Sequence, residues 1–600
     1  MNQNKSEMFL RRSIQLTGCV AALWILSTGG ALLWGRGSPG KARTQADQAQ
    51  SIYSQGMSAL QKGDLSGARP LFEKVVRLAP SSPEAHNSLG WVLMEQGQIE
   101  PAVAQFRMAL RLKANFVQAR INLANALSSE RDFAEGESEA QEAVRLDPKD
   151  SEARRTLGRI KSFRGDLPGG INELQSAITL EPKRPDLHDD LGTLFEQTGK
   201  IGEAAQQFSE ALRLNPDYFS AEMHLGIVRW QQHELPEAGD LLAKAVQSAP
   251  ENPQAHYYLG RVLEEEKKDD QAIVELKKAV ALQPDFTDAQ ESLGFLSQRA
   301  GNIQDAVAAF RRLVQLRPDN PDAHNNLGLA LIQSGDAASA MPEFETAIRL
   351  RPDDAGYLEN LGTAYLQRAD FDSAIKQFRS ALNIAPEDAT AHYDLGLALK
   401  LKDQLSEAIA EFQKAAQLSP EQPDIHYTLG ITLWQKGDFP QAEKELSAAT
   451  AAKPDYAEAY YTLGTVLKQD GKLDAAAAAL RKAIEINPGL MGAHTNLAAI
   501  LRQQGDIPGA DAESRRAQEL FKQSNSLQAA TFNTNSGKRL LQAGDLDGAI
   551  SQFRSAIKLA PDYAPAHQQL AQALAEKGQQ AEADEESRKA AQLAGSNSAQ

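Results

Sequence analysis

Histidine is the residue type in this chain with the most obvious chemical promise. Eight of its ten histidines, His86, His188, His256, His324, His392, His426, His494 and His567, sit at one phase of a recurring phrase. AHNNLGLALIQSGD from Ala323 returns as AHYYLGRVLEEEKK from Ala255 and as AHYDLGLALKLKDQ from Ala391. Such residues could ligate a metal or serve as general bases. A shared metal needs ring nitrogens converging at about 2.0–2.1 Å, whereas stacked helices lie about 8–10 Å apart. The histidines are therefore read as partly buried packing residues. No Ser/His/Asp order, His-Glu-x-x-His motif or Cys-x-x-Cys pair occurs, and acidic residues are spread at one phase over helix surfaces. No catalytic residue, metal ligand or cofactor is assigned, and the chain is not read as an enzyme. Gly35, Gly40 and Lys41 imitate a phosphate-binding loop, but Ala42 stands where Ser or Thr would hold magnesium.

The elements that carry these residues are set by a period. His256, His324 and His392 are 68 residues apart, and prolines from Pro148 through Pro318 to Pro488 mark every 34 residues. The windows this defines run over 49–524 and 530–597, sixteen in all, each counted here from position 1. Position 8 is always Gly or Ala, and position 20 is always small. Positions 4, 7, 8 and 11 (His324, Leu327, Gly328, Leu331) share one helical face, and positions 20, 24 and 27 (Ala340, Phe344, Ala347) form a second stripe. Turn signals such as Gly335-Asp336 separate the two, and a proline ends the second. Each window is an antiparallel helical hairpin.

Leu327-Gly328 in the first helix, Ala340, Phe344 and Ala347 in the second, and then Pro352 give a pattern that resembles the tetratricopeptide repeat (TPR) family over about nine tenths of the chain. The resemblance implies an all-α, right-handed superhelical solenoid whose concave wall is built by the first helices. Repeat units bury their apolar faces against neighbours, so one core continues along the array and no separate catalytic domain is needed.

The formal net charge of −16 opposes general binding to nucleic-acid phosphates. The sole cysteine, Cys19, leaves the repeats without disulfides or thiolate metal sites. It lies in an uncharged run, residues 13–35, long enough to span a bilayer as a helix. This run is read as a transmembrane signal anchor after a short tail, 1–12, and before a linker, 36–48. Arg11 and Arg12 precede it and Arg36, Lys41 and Arg43 follow, which leaves the charge rule nearly tied. The orientation favoured places the repeats outside the cytoplasm, in the periplasm if the source is bacterial; secretion after signal cleavage is the alternative. Residues 525–529 are an insert that breaks the period, and Lys522 replaces the helix-stopping proline, so the helix before it is free to run on. Residues 598–600 form a tail.

Binding has to use positions the scaffold does not need: 2, 5, 9, 12 and 13 of the first helix, rotated from the packing stripe. Position 5 reads Tyr393, Tyr427 and Tyr461 in repeats eleven to thirteen, and position 12 reads Lys400, Trp434 and Lys468, then Arg502 in repeat fourteen. Aromatic anchors interleaved with cations suit an extended peptide with apolar and acidic groups. By resemblance, Asn125, Arg155 and Arg159 match three of five positions at which some family members grip a peptide C-terminal carboxylate, with Asn87 and Trp91 departing from that pattern. Asn122, Asn326, Asn360, Asn496 and Asn535 at position 6 are similar to an asparagine ladder that holds peptide backbone in O-linked N-acetylglucosamine transferases. The expected function is a non-catalytic scaffold for proteins or extended peptides at a cell envelope. The alternative is a noncatalytic subunit that delivers substrates to an enzyme such as a glycosyltransferase encoded elsewhere.

Overall fold

The computed structural model describes residues 41–597. They form thirty-one helices, with no strand among the described residues. Repeat nine shows why each window folds as it does. Its first helix, Pro321–Gln333, starts on Asn320, whose side chain accepts from the N–H groups of Asp322 and Ala323 at 2.9 and 3.3 Å. Proline at the first helical position lacks an N–H that would have no partner there. Gly335 turns the chain at φ 83°, a left-handed conformation that costs glycine little. Asp336 then caps the second helix, Ala337–Leu350, by accepting from Ser339 N–H at 3.0 Å.

The two helices of a hairpin meet where position 8 faces position 24. A β-carbon on Gly328 would lie 2.5 Å from Phe344 Cε1, so glycine is what lets the ring lie flat against the first helix. Phe344 is fully buried, as are Phe106, Phe208, Phe378 and Phe412 at the same position. Each such ring contributes about 1.5–3 kcal/mol of apolar burial. The pairing is obeyed throughout: thirteen repeats put Gly against Phe or Leu, while Ala124, Ala498 and Ala571 face Ala140, Ser514 and Ser587. A small residue on one helix and a large one on the other thus fill the same space in alternative ways.

The chain divides into two compact units, Met1–Leu316 and Arg317–Gln600. Within each, every helix packs on its sequence neighbours, and consecutive first helices also touch. The second helices lack comparable mutual contacts, so the first helices line the more closely spaced face of each unit. That face is the wall on which the sequence places its candidate residues.

Two expected boundaries move. The helix Lys41–Gln61 begins eight residues before the first window, so residues 41–48 are helix rather than linker. After Pro39 and Gly40, no proline or glycine follows until Gly56, and nothing stops the helix from starting early. The insert 525–529 does not interrupt structure either. Ile507–Gln542 is one 36-residue helix, which joins the second helix of repeat fourteen to the first of repeat fifteen. Between Gly509 and Gly537 there is neither Gly nor Pro to break it. No helix among the described residues is long and apolar enough to cross a membrane. The proposed anchor 13–35, the tail 1–12, Cys19, residues 36–40 and the tail 598–600 lie outside the described residues.

Candidate functional site

A single register rule organises the wall. Side chains on neighbouring first helices bond at a separation of 35 residues, one more than the repeat, so position p of one helix faces position p + 1 of the next. At positions 5 and 6 the rungs are Tyr53 with Ser88 at 3.0 Å, Asn122 donating to Asn87 at 3.0 Å and Asn360 donating to Asn325 at 2.8 Å. Two of the five ladder asparagines, Asn122 and Asn360, are therefore engaged in stitching repeats together. Asn496 also bonds within the array, donating to Thr465 Oγ1 at 3.1 Å.

Where this rule reaches repeats four to six, the rungs become ionic. Arg155 bonds Asp190 at 2.5 Å through Nε and Asp186 at 2.8 Å through Nη1. Arg184 binds Asp186 and Glu152 at 2.5 and 2.7 Å. Burial works against the charges, yet Arg155 and Arg184 hold Asp186 below the ordinary carboxylate range, and the surrounding carboxylates hold Arg155 well above its own. Next along, Asp189 accepts from Ser220 Oγ at 2.6 Å and bonds His224 Nδ1 at 2.9 Å. Ser, His and Asp do meet here: the serine oxygen also lies 3.5 Å from His224 Nδ1, but its short hydrogen bond goes to the aspartate. With its proton on Asp189 the hydroxyl is not handed to an imidazole base, as nucleophilic catalysis would require.

This network changes the standing of the three carboxylate-binding candidates. Arg155 is buried and occupied by carboxylates of its own chain, so it has no fork to offer a ligand. Arg159 lies on the same helix with Nε buried and without a hydrogen-bond partner. Burial pulls its guanidinium down from the ordinary value, Asp190 offsetting part of that and Arg155 adding to it. Asn125, one repeat back, is half-buried. The sequence could not reveal Asp186 and Asp190 as partners of Arg155, because the one-residue shift between helices is a property of the stack.

The groove candidates of repeats eleven to thirteen lie on one stretch of the wall. Tyr393, Tyr427, Trp434 and Tyr461 all pack, half-exposed, on one continuous apolar core. Each is also braced. Tyr393 Oη bonds Thr428 Oγ1 at 3.0 Å, and Trp434 Nε1 donates to Gln469 at 2.6 Å, both by the p to p + 1 rule. Tyr427 packs on Tyr456 with ring centroids 5.0 Å apart, and Tyr461 lies so close over Gly492 that a β-carbon there would sit 2.7 Å from its hydroxyl. Lys468 donates to Asn496 at 3.1 Å. Arg502 pairs at 3.0 Å with Asp511 on the second helix of its own repeat. Lys400 differs from both: it is half-buried, has no carboxylate partner among the described residues, and its ammonium is lowered by burial.

One rung sets like charges together. Glu359 at position 5 of repeat ten and Asp394 at position 6 of repeat eleven occupy facing rung positions, so two carboxylates stand where Asn325 and Asn360 pair one repeat earlier. Burial, followed by Asp388, Asp394 and Asp354, pushes Glu359 up to about 7. Burial and Asp388 push Asp394 up to about 6. The eight phased histidines stay apart, each held between a side chain of its own repeat and a carbonyl of the turn before it, and no group of three or more His, Cys, Asp or Glu among the described residues is placed to hold a metal.

Comparison with known proteins gives the same architecture. No curated protein matches the sequence. A tetratricopeptide repeat model matches residues 53–115, 190–253, 297–355, 359–423 and 427–490, which together exceed half the chain. Further models of the same repeat match 229–293, 491–516 and 537–578. Among solved structures, MamA from Desulfovibrio magneticus is 25% identical over 28% of this chain and 96% of its own, with a TM-score of 0.27. The anaphase-promoting-complex assembly Cut9-Hcn1 is 15% identical over 89% of this chain and 98% of its own, at 0.35. Yeast Tom70 is 14% identical over 65% and 97%, at 0.27. With the period, the small–large pairing of thirteen hairpins and the family models in agreement, this chain belongs to the tetratricopeptide repeat family.

Proposed function

We propose that this chain is a non-catalytic scaffold that holds an extended segment of a partner protein against the first helices of repeats eleven to thirteen. One observation carries the reading: Tyr393, Tyr427, Trp434 and Tyr461 form a row of braced, half-exposed aromatics, with Lys400 beside them lacking a counter-ion. Rings already fixed by Thr428, Gln469 and Gly492 lose little conformational freedom when a partner covers them, which favours their use as anchors. A carboxylate of the partner would relieve the partly desolvated Lys400. The partner is thus a protein segment with apolar and acidic groups. Segment 13–35 is proposed to tether the scaffold to a membrane, with the repeats outside the cytoplasm, where it assembles a complex at the cell envelope.

The test is crosslinking and mass spectrometry on full-length protein in membranes, comparing wild type with a Tyr427→Ala, Trp434→Ala double variant. Partners lost from the variant, with its helix content intact, are expected. An unchanged set of crosslinked partners would remove the groove. Extraction of the wild type by alkaline carbonate would remove the tether.

A further inference from the structure

Position 4 of the first helix opens into a socket with two acceptors. One is the side chain at position 23 of the second helix; the other is the main-chain carbonyl six residues back. In six repeats the occupant is histidine facing glutamate: His256 with Glu275, His324 with Glu343, His392 with Glu411, His426 with Glu445, His494 with Glu513, and His567 with Glu586. The Nδ1 to carboxylate distances run from 2.5 to 2.7 Å. Each Nε2 lies 2.8–3.2 Å from the carbonyl oxygen of Pro250, Pro318, Pro386, Pro420, Pro488 or Pro561.

A carbonyl oxygen only accepts, and so does an ionised carboxylate, so the socket suits a side chain that can donate at both ends. Two further repeats confirm what the socket selects. Arg120 and Arg154 fill it in repeats three and four, where Arg154 donates to Glu173 at 2.9 Å and to the Pro148 carbonyl at 3.0 Å. Arg120 does the same with Glu139 and the Ala114 carbonyl. Position 23 is glutamate in eight of the sixteen repeats, and in all eight position 4 is His or Arg. Where His86 and His188 occur, position 23 is Gln105 or Gln207, whose Oε1 accepts from Nδ1 at 2.7 and 2.8 Å. Gln290 in repeat eight faces Ala309 at position 23 and keeps only the carbonyl bond, to Pro284 at 3.2 Å.

We propose that the His426–Glu445 pair makes repeat twelve pH-responsive: it holds a proton that staples the two helices of that hairpin to the preceding turn, and losing it as pH rises loosens the repeat. The charged groups that bear on His426 are Glu445 and Lys444, both on the second helix; the preceding connection supplies only a carbonyl. Lys278 and Lys589 bind the outer oxygens of Glu275 and Glu586, leaving the inner ones to the rings. The Glu445 hydrogen bond raises His426 and the His426 hydrogen bond lowers Glu445, against the burial of each. A histidine raised on folding stabilises the fold below its unfolded value, near 6.5, and that contribution is lost as pH rises through the folded value.

The test replaces Glu445 in the full chain by glutamine, the residue repeats two and five already use. The readout is hydrogen exchange in helix Phe439–Ala452 between pH 6 and 9, corrected for intrinsic rates. Exchange should accelerate over this range in wild type and not in Glu445→Gln; equal acceleration in both would overturn the proposal. Should Glu445→Gln not fold, His426→Arg supplies the occupant of repeats three and four, and its exchange should likewise cease to accelerate; acceleration equal to wild type would overturn it.

Discussion

Replacing Gly328 by alanine sets two physical effects of opposite sign against each other. Alanine in place of a mid-helix glycine favours folding by roughly 0.5–1 kcal/mol through backbone entropy. The new β-carbon, however, would lie 2.5, 2.7 and 2.8 Å from Cε1, Cζ and Cδ1 of Phe344, whereas carbon atoms pack comfortably at about 3.5–4.0 Å. Phe344 is fully buried and cannot swing into solvent, so the helices must part or the ring must leave its rotamer. Overpacking of this kind costs about 1–3 kcal/mol. The net expectation is a destabilisation of about 0.5–2 kcal/mol, the clash exceeding the entropy gain. Phe344→Ala alone should cost about 3–5 kcal/mol for the cavity it leaves. The double variant should recover at least about 1 kcal/mol relative to the sum, because the two changes are neighbours and the new methyl enters the vacated space. Repeat three already has this arrangement in Ala124 and Ala140. A long array need not unfold in one step, so the assay is hydrogen exchange in helices Pro321–Gln333 and Ala337–Leu350 beside the urea midpoint. A Gly328→Ala protein equal to or more protected than wild type would refute the close-packing argument.

Two further outcomes follow from the charges on the wall. Arg155→Ala leaves the half-buried Asp190 without its cation and Asp186 with Arg184 alone, and should cost about 3 kcal/mol; a melting temperature within a degree of wild type would show that Arg184 alone neutralises the cluster. Glu359 is a carboxyl raised on folding, to about 7, so its ionisation opposes the fold, and that cost grows as pH rises from its unfolded value through about 7. Glu359→Gln should therefore raise the urea midpoint at pH 8, by about 1 kcal/mol after allowance for solvent screening, and change little at pH 4.5. Equal effects at both pH values would mean that the carboxylates of repeats ten and eleven do not oppose each other.

Much of this protein is legible in one dimension because a repeat of 34 residues has to satisfy the same packing sixteen times. Glycine at position 8 and phenylalanine at position 24 could each be read as part of a stripe, and the structure joins them as two halves of one contact. The aromatic row at Tyr393, Tyr427, Trp434 and Tyr461 was accessible for the same reason, since residues rotated from the packing stripe have no structural duty inside their own hairpin. The early start at Lys41 was harder to place, because a window boundary marks where packing repeats and does not by itself stop a helix, whereas Lys522 in place of the stopping proline left the helix through residues 525–529 open in the sequence.

The amino-acid sequence by itself determined the all-helical hairpin, its period, its turns and its core, since those depend on contacts inside one window or at a fixed spacing from it. The tertiary structure alone decided which polar groups meet between windows. A shift of one residue between adjacent first helices gives Arg155 to Asp190, Asn122 to Asn87 and Trp434 to Gln469, and sets Glu359 against Asp394. That shift arises from how hairpins stack, so residues that look free for a ligand in the sequence prove to hold the wall together, while Lys400 is left without a counter-ion.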